Sequence, residues 1–248
     1  MKQIINAEII ENIETAKNIY RLIVKANLSG KPGQFIQVRL PSDEFTLRRP
    51  FGIASINGDQ VKMFYRVVGD GTKFLTNCKS GDNINILGAL GNSFDIADGE
   101  KILLIGGGMG LAPLLFAASE AKSADVFIGG RNAEEVIFWQ DEFKNSAENI
   151  FVMTDDGSYG HKGFVTDGLP DALNNSHYDK ILVCGPEIMM RKVAAIAKEY
   201  NIACQVSMEK RMACGLGACL SCSIDTINGR RKVCKDGPIF NAEEVFDV

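Results

Sequence analysis

The rhythm of hydrophobic and polar positions changes twice along this chain. Up to about residue 98 the apolar positions come in short alternating or β-branched runs: IYRLIVKA at 19–26, GQFIQVRL at 33–40 and QVKMFYRVV at 60–68. Pro32-Gly33, Asn57-Gly58 and Ser80-Gly81-Asp82 separate them with turn chemistry. Many short strands without a long helical pattern predict a small antiparallel β-barrel of six strands over 1–98. From 99 the strands become continuous and apolar, each ending in glycine or acid: KILLIGG (101–107), ADVFIGG (124–130), NIFVMTDD (149–156) and KILVCGP (180–186). Helical patterns lie between them in LAPLLFAASEAK, EEVIFWQDEFKNS and EIMMRKVAAIAKEY. Strand–helix alternation predicts an α/β domain over 99–205, a parallel sheet covered on both faces that binds ligands at its carboxyl edge. In the remainder, 206–248, Asn228-Gly229 between two short β-like runs signals a hairpin in a small third domain.

Composition narrows the options without choosing among them. Hydrophobic content of 46% and charged content of 23% are those of an ordinary globular protein. The net charge of −4 provides no basic field for nucleic acid or an anionic membrane surface. The first two dozen residues lack the apolar core of a secretory leader, and no run of 18 apolar residues occurs. A cytoplasmic location is therefore expected. There, seven cysteines, an odd number, point to reduced thiols or metal ligands and not to disulfides.

Three of the seven fall within nine positions, in CGLGACLSC, and a fourth follows. Cys214, Cys219, Cys222 and Cys234 make C-x4-C-x2-C-x11-C, the plant-type spacing of a [2Fe–2S] cluster, with three ligands in one loop and the fourth from elsewhere. Gly215, Gly217 and Ala218 would let that loop wrap closely and aim N–H groups at anionic sulfur. A structural zinc ion is the competing reading, although zinc sites commonly use two C-x2-C knuckles and only Cys219/Cys222 forms one. Four buried thiols with no ligand role are the third. Of the others, Cys78 and Cys204 read as small core residues, whereas Cys184 ends a strand and could line a ligand site.

The turn LLIGGGMGLAPLL puts Gly106, Gly107, Gly108 and Gly110 between a strand and a helix, where backbone can approach a phosphate and helix N–H groups are free. It departs from the G-x-G-x-x-G fingerprint because Leu111 stands at the third glycine. No acid ends the second strand at IGGRN either, so the domain is not the standard dinucleotide fold. Nucleotide binding and a purely structural turn both remain open on this evidence. His161 and His177 have no partner pattern and read as surface residues.

RRPFGIAS (48–55), YRVVGDGTKFL (65–75), GALGNSF (88–94), GGGMGLAPL and CGP together resemble the ferredoxin–NADP reductase superfamily. With MEKRMACGLGACLSC added, the whole chain is similar to the electron transfer subunits of class 1B dihydroorotate dehydrogenase. The resemblance implies FAD in the barrel, NAD in the α/β domain and a [2Fe–2S] cluster in the C-terminal domain on the four cysteines above. It assigns FAD to Arg49, Pro50, Phe51, Gly52, Phe64, Tyr65, Arg66, Gly71 and Thr72, with Arg49 on the pyrophosphate. Gly52 departs from the family, which commonly has Ser or Thr there to donate toward the flavin ring. It assigns NAD to Gly107, Gly108, Gly110, Asp155, Cys184, Gly185 and Pro186. Asp155-Asp156 reads equally well as a loop cap, and Arg131 could suggest NADP in place of NAD.

The implied function is electron passage between NAD and the FMN of a separate catalytic subunit that oxidises dihydroorotate, through FAD and the cluster. The implied assembly is a heterotetramer with two copies of each subunit. No catalytic acid, base or nucleophile is expected. Two other readings stay open: an electron transfer subunit of a hydrogenase, sulfite reductase or ferredoxin-dependent transhydrogenase, and a zinc-stabilised nucleotide-binding regulator.

Overall fold

The computed structural model describes residues 3–246. Its first unit is a closed antiparallel barrel in the order β1-β2-β5-β4-β3-β6. The strands are β1 (Gln3–Ala16), β2 (Ile19–Lys25), β3 (Phe35–Arg39), β4 (Arg49–Asn57), β5 (Gln60–Arg66) and β6 (Asn83–Leu90), with helix α1 (Asp70–Leu75) between the last two. Alternation sends Leu22, Val24, Ile36, Val38, Ile53, Val61, Met63 and Ile86 into one apolar interior. The predicted six-stranded barrel is therefore present, and the pairing of β1 with β6 closes it.

The second unit is built on β7 (Lys101–Gly107), α2 (Leu111–Glu120), β8 (Ser123–Gly130), α3 (Ala133–Phe143), β9 (Asn149–Thr154), β10 (His161–Lys162), α4 (Leu169–Asn175), β11 (Lys180–Cys184), α5 (Glu187–Glu199) and β12 (Ala203–Ser207). The sheet order is β10-β9-β8-β7-β11-β12, all parallel. The order reverses between β7 and β11, and a crevice opens above the carboxyl ends of strands at such a reversal. A short 3-10 turn, Gly108–Gly110, leads from β7 into α2 beside that point.

The C-terminal segment carries the hairpin β13 (Ser223–Thr226) and β14 (Gly229–Lys232), then β15 (Ile239–Asn241) and α6 (Ala242–Phe246). The hairpin signalled by Asn228-Gly229 is present, but its turn falls one residue earlier, at Ile227-Asn228, with Gly229 already paired to Thr226. β15 pairs antiparallel with β12 and becomes the outermost strand of the large sheet. Cys222, Ile224, Val233, Cys234 and Phe240 accordingly share one apolar cluster with Val183, Val193 and Val206 of the α/β unit. No helix among the described residues is long and apolar enough to cross a membrane.

Candidate functional site

A cavity of about 1020 Å³ lies between the barrel and α2. Of the residues singled out in the first unit, Arg49, Pro50, Phe51, Gly52, Phe64, Tyr65, Arg66 and Thr72 all line it. Gly71 does not, but its place explains the glycine: a Cβ there would stand 2.5 Å from Arg49 Nε, so the guanidinium rests directly on this backbone. The same guanidinium packs over the Phe45 ring at 5.2 Å and donates to the Leu47 carbonyl. Thr72 Oγ1 closes the turn beneath, accepting from the N–H of Val68 at 2.9 Å and of Gly69 at 3.2 Å. Tyr65 stacks between Tyr20 and Phe51, and its hydroxyl donates to Asn12 at 2.9 Å. Burial pushes that phenol up. At Gly52 a Cβ would meet Pro113 at 3.5 Å, an ordinary contact, so the departure from Ser or Thr is not forced by space.

A second cavity, of about 720 Å³, opens at the crevice above β7 and β11. Gly107, Gly108, Gly110, Asp155, Gly185 and Pro186 line it; Cys184 does not. The Cys184 thiol is fully buried and reaches the Ser207 carbonyl at 3.8 Å, with burial pushing it up. The Asp155-Asp156 pair divides its roles, since Asp156 accepts from the Ser158 N–H at 2.9 Å as a loop cap while Asp155 faces the cavity. Arg131 is engaged with Glu135, whose carboxylate takes its side-chain N–H groups and also its main-chain N–H at 3.0 Å. The Arg131 guanidinium holds the Glu135 carboxyl below the usual range.

Arg66, Met109, Met208 and Glu209 appear on the walls of both cavities, which therefore meet there. Of the four, only Arg66 stood among the sequence candidates. Met208 and Glu209 follow β12, a strand that the sequence pattern does not predict. Glu209 keeps one side toward solvent, but crowding by protein atoms raises its carboxyl.

The four cysteines of the C-terminal segment come together around the loop 214–222. Cys219 lies beside Cys214, and Cys222 lies beside Cys234. Leu216 N–H points to Cys214 Sγ at 3.3 Å and Cys234 N–H to Cys222 Sγ at 3.4 Å. Burial pushes the Cys214 thiol up, but N–H groups of Leu216, Cys219 and Ala218 and the Cys219 side chain outweigh it and bring it down to about 6. Burial and the neighbouring Cys222 push Cys234 up. Among the described residues, no group of three or more His, Cys, Asp or Glu is placed to hold one metal ion. Two thiol pairs suit a binuclear cluster, in which each iron takes two thiolates; a tetrahedral zinc ion needs all four on one centre. The segment leading into this loop, Lys210, Arg211 and Met212, lines the first cavity.

A barrel with a cavity against a nucleotide-type sheet, and a cysteine segment packed on both, defines an oxidoreductase of the ferredoxin–NADP reductase fold extended by an iron–sulfur segment. Residues 104–195 match the oxidoreductase NAD-binding domain, and residues 209–246 match the iron–sulfur cluster binding domain of dihydroorotate dehydrogenase B. Over 242 residues, 96% of each chain, the protein is 39% identical to a dihydroorotate dehydrogenase B (NAD(+)) electron transfer subunit of Clostridium acetobutylicum. The corresponding subunit of Clostridium perfringens is 42% identical over 241 residues, 95% of each chain. Among solved structures, that of an NADH-dependent reduced ferredoxin–NADP oxidoreductase superposes with a TM-score of 0.87 at 30% identity, covering 96% of this chain and 89% of the other. A Neisseria gonorrhoeae ferredoxin–NADP+ reductase shares the fold, with a TM-score of 0.66 at 16% identity over 79% of this chain and 91% of its own. The chain belongs to the family of dihydroorotate dehydrogenase B (NAD(+)) electron transfer subunits.

Proposed function

We propose that this chain is the electron transfer subunit of an NAD-dependent dihydroorotate dehydrogenase. It passes electrons between the FMN of a catalytic subunit and NAD in pyrimidine synthesis, with FAD and a [2Fe–2S] cluster as its resident carriers. The assembly is a cytoplasmic heterotetramer of two copies of each subunit. The division into an FAD barrel (1–98), an NAD domain (99–205) and a cluster domain (206–248) follows from the same reading.

One observation carries it: the two cavities meet at Arg66, Met109, Met208 and Glu209, and Lys210, Arg211 and Met212, which lead into the cysteine loop, line the first of them. A flavin, when bound, supplies the exchange between paired and single electrons that nicotinamide and iron–sulfur chemistry require. The chain's own residues do the placing. Arg49, seated on Gly71, would hold the FAD pyrophosphate by charge-assisted hydrogen bonds, with Thr72 fixing the turn. Pro50, Phe51, Gly52, Phe64, Tyr65 and Arg66 would form the walls around the flavin ring. Gly107, Gly108 and Gly110 would admit the NAD pyrophosphate at the start of α2. Gly185 and Pro186, with Asp155 across the crevice, would bound the nicotinamide, and Cys184 would act through its main chain, because its thiol is turned away. Cys214, Cys219, Cys222 and Cys234 would ligate the irons. The engagement of Arg131 by Glu135 favours NAD over NADP, since a 2′-phosphate would meet a carboxylate and an arginine already paired.

The same fold serves the reduced ferredoxin–NADP oxidoreductase that superposes so well, so shape alone does not choose the partner. The higher identity to dihydroorotate dehydrogenase B subunits supports a dihydroorotate-oxidising partner. The test is anaerobic purification with the associated polypeptide, followed by EPR of the dithionite-reduced complex and dihydroorotate-dependent NAD+ reduction. The Cys219→Ala variant, altered on an exposed loop, is expected to lose the cluster signal and electron delivery from the partner while retaining FAD. Undiminished delivery in that variant rules the serial path out. A zinc-loaded protein without flavin rules out the whole reading.

A further inference from the structure

Gln37 is an anomaly in β3. Its neighbours Phe35, Ile36 and Val38 are buried apolar residues, and Gln37 is itself fully buried. Its Oε1 has no hydrogen-bond partner, and its Nε2 has only the Met212 thioether, a weak acceptor 3.9 Å away. A buried amide left in this condition costs stability that an apolar side chain of the same shape would not. Rotating the terminal amide by half a turn exchanges its N–H and C=O ends in place.

What surrounds that amide is specific. A Cβ at Gly215 would stand 2.6 Å from Nε2 and 2.9 Å from Cγ of Gln37, so the residue directly after Cys214 lies flat on the amide. Gly215 also has φ +67, so two requirements exclude a side chain there. On the other side, Met212 lines the first cavity. The Gln37 main chain sits opposite Pro50 and accepts from Arg48 Nη1 at 3.2 Å, within the RRPF stretch that lines that same cavity. One residue thus belongs by backbone to the flavin wall and by side chain to the cysteine loop.

We propose that Gln37 is a positioning and tuning residue for the iron–sulfur cluster, contributed across the domain boundary by the barrel. Its amide fixes the Cys214–Gly215 segment and presents an N–H to the sulfurs at that edge. Reduction of the cluster adds one electron, and a donor aimed at its sulfurs favours the more negative state, raising the potential. The inference rests on the cluster reading given above.

The experiment is an EPR-monitored redox titration of the holo complex against its Gln37→Met variant, which keeps length and flexibility but removes both polar ends. The cluster's reduction equilibrium is expected to fall by roughly 3- to 10-fold, as for loss of one hydrogen bond; tenfold corresponds to 59 mV for one electron. The FAD potential, titrated in the same sample, is expected to stay put. An unchanged cluster potential, or equal shifts of cluster and FAD, overturns the proposal. Should the variant fail to load, wild-type protein with side-chain 15N-labelled glutamine provides the second measurement. Pulsed EPR of the reduced cluster is then expected to show a 15N coupling, and its absence is decisive against the role. A normal cluster with no Gln37 effect sinks this inference alone; wild-type protein without a cluster sinks the cluster reading as well.

Discussion

At the scale of single residues, the contact between Gly71 and Arg49 separates function from stability. Gly71 lies within α1, at a position where alanine is conformationally the better residue by up to about 1 kcal/mol. Its absent side chain is explained instead by the guanidinium stacked on it. Gly71→Ala is therefore expected to leave the thermal midpoint of the flavin-free protein equal or higher while pushing Arg49 off its seat. Loss of that charge-assisted contact weakens FAD by about 1–3 kcal/mol, which flavin fluorescence on dilution measures directly. Arg49→Ala should match it, and the double variant should add little, because both changes remove one interaction. Additive losses would mean that the glycine and the arginine act separately. None of this pairing is visible in RRPF or GDGT alone. The motif names the residues, but only the fold shows why position 71 excludes a methyl group.

At the scale of elements, the nucleotide turn is held by contact between the start of α2 and the end of β11. A Cβ on Gly110 would overlap the Cys184 carbonyl at the end of β11, and that carbonyl is backbone that cannot swing aside. Gly110→Ala is expected to part the start of α2 from β11, cost about 1–3 kcal/mol by overpacking, and raise the Kd for NADH by about 5- to 150-fold if that energy is lost from binding. Calorimetry reads both, and a variant of unchanged stability and affinity would show the contact to be slack. The strands around this turn were legible because they are buried on both faces and read as unbroken apolar runs. Other elements were not. β1 runs 14 residues, yet only Ala7 and Ile9 within it are buried, so its alternation is diluted by Asn and Glu on the open face. β15 is three residues long and exists because β12 offers an unpaired edge, a tertiary fact with no local signal. β12, which no sequence pattern announced, also hid Met208 and Glu209, two of the four residues where the two cavities meet.

At the scale of the molecule, transfer between fixed carriers needs three segments that do not move against one another, and two joints provide this. The first joins α3 to the barrel: Trp139 packs on Phe64 with ring centroids 4.9 Å apart, and Glu142 bridges Arg21 at 3.0 Å and Lys62 at 2.9 Å. The second joins the cysteine segment to the barrel's far end through Asn92. Its Nδ2 donates to the carbonyls of Asp236 at 3.2 Å and Ile239 at 2.8 Å, its Oδ1 accepts from the Ile239 N–H at 2.9 Å, and its own N–H reaches Gly237 at 2.7 Å. Asn92→Ala keeps the last bond and strips the other three, leaving the Ile239 main chain short of partners at the start of β15. A cost of about 1–3 kcal/mol is expected for polar groups left unsatisfied in this way. Its location matters more than its size, because β15 ties the segment after β12 back to the sheet. Hydrogen exchange of the variant should therefore quicken in β13–β15 and the cysteine loop while β2–β5 and β7–β11 keep their protection. Cluster loss in air should accelerate in parallel. Exchange that rises evenly over all three segments would mean instead that they open as one unit and that Asn92 is no joint between them.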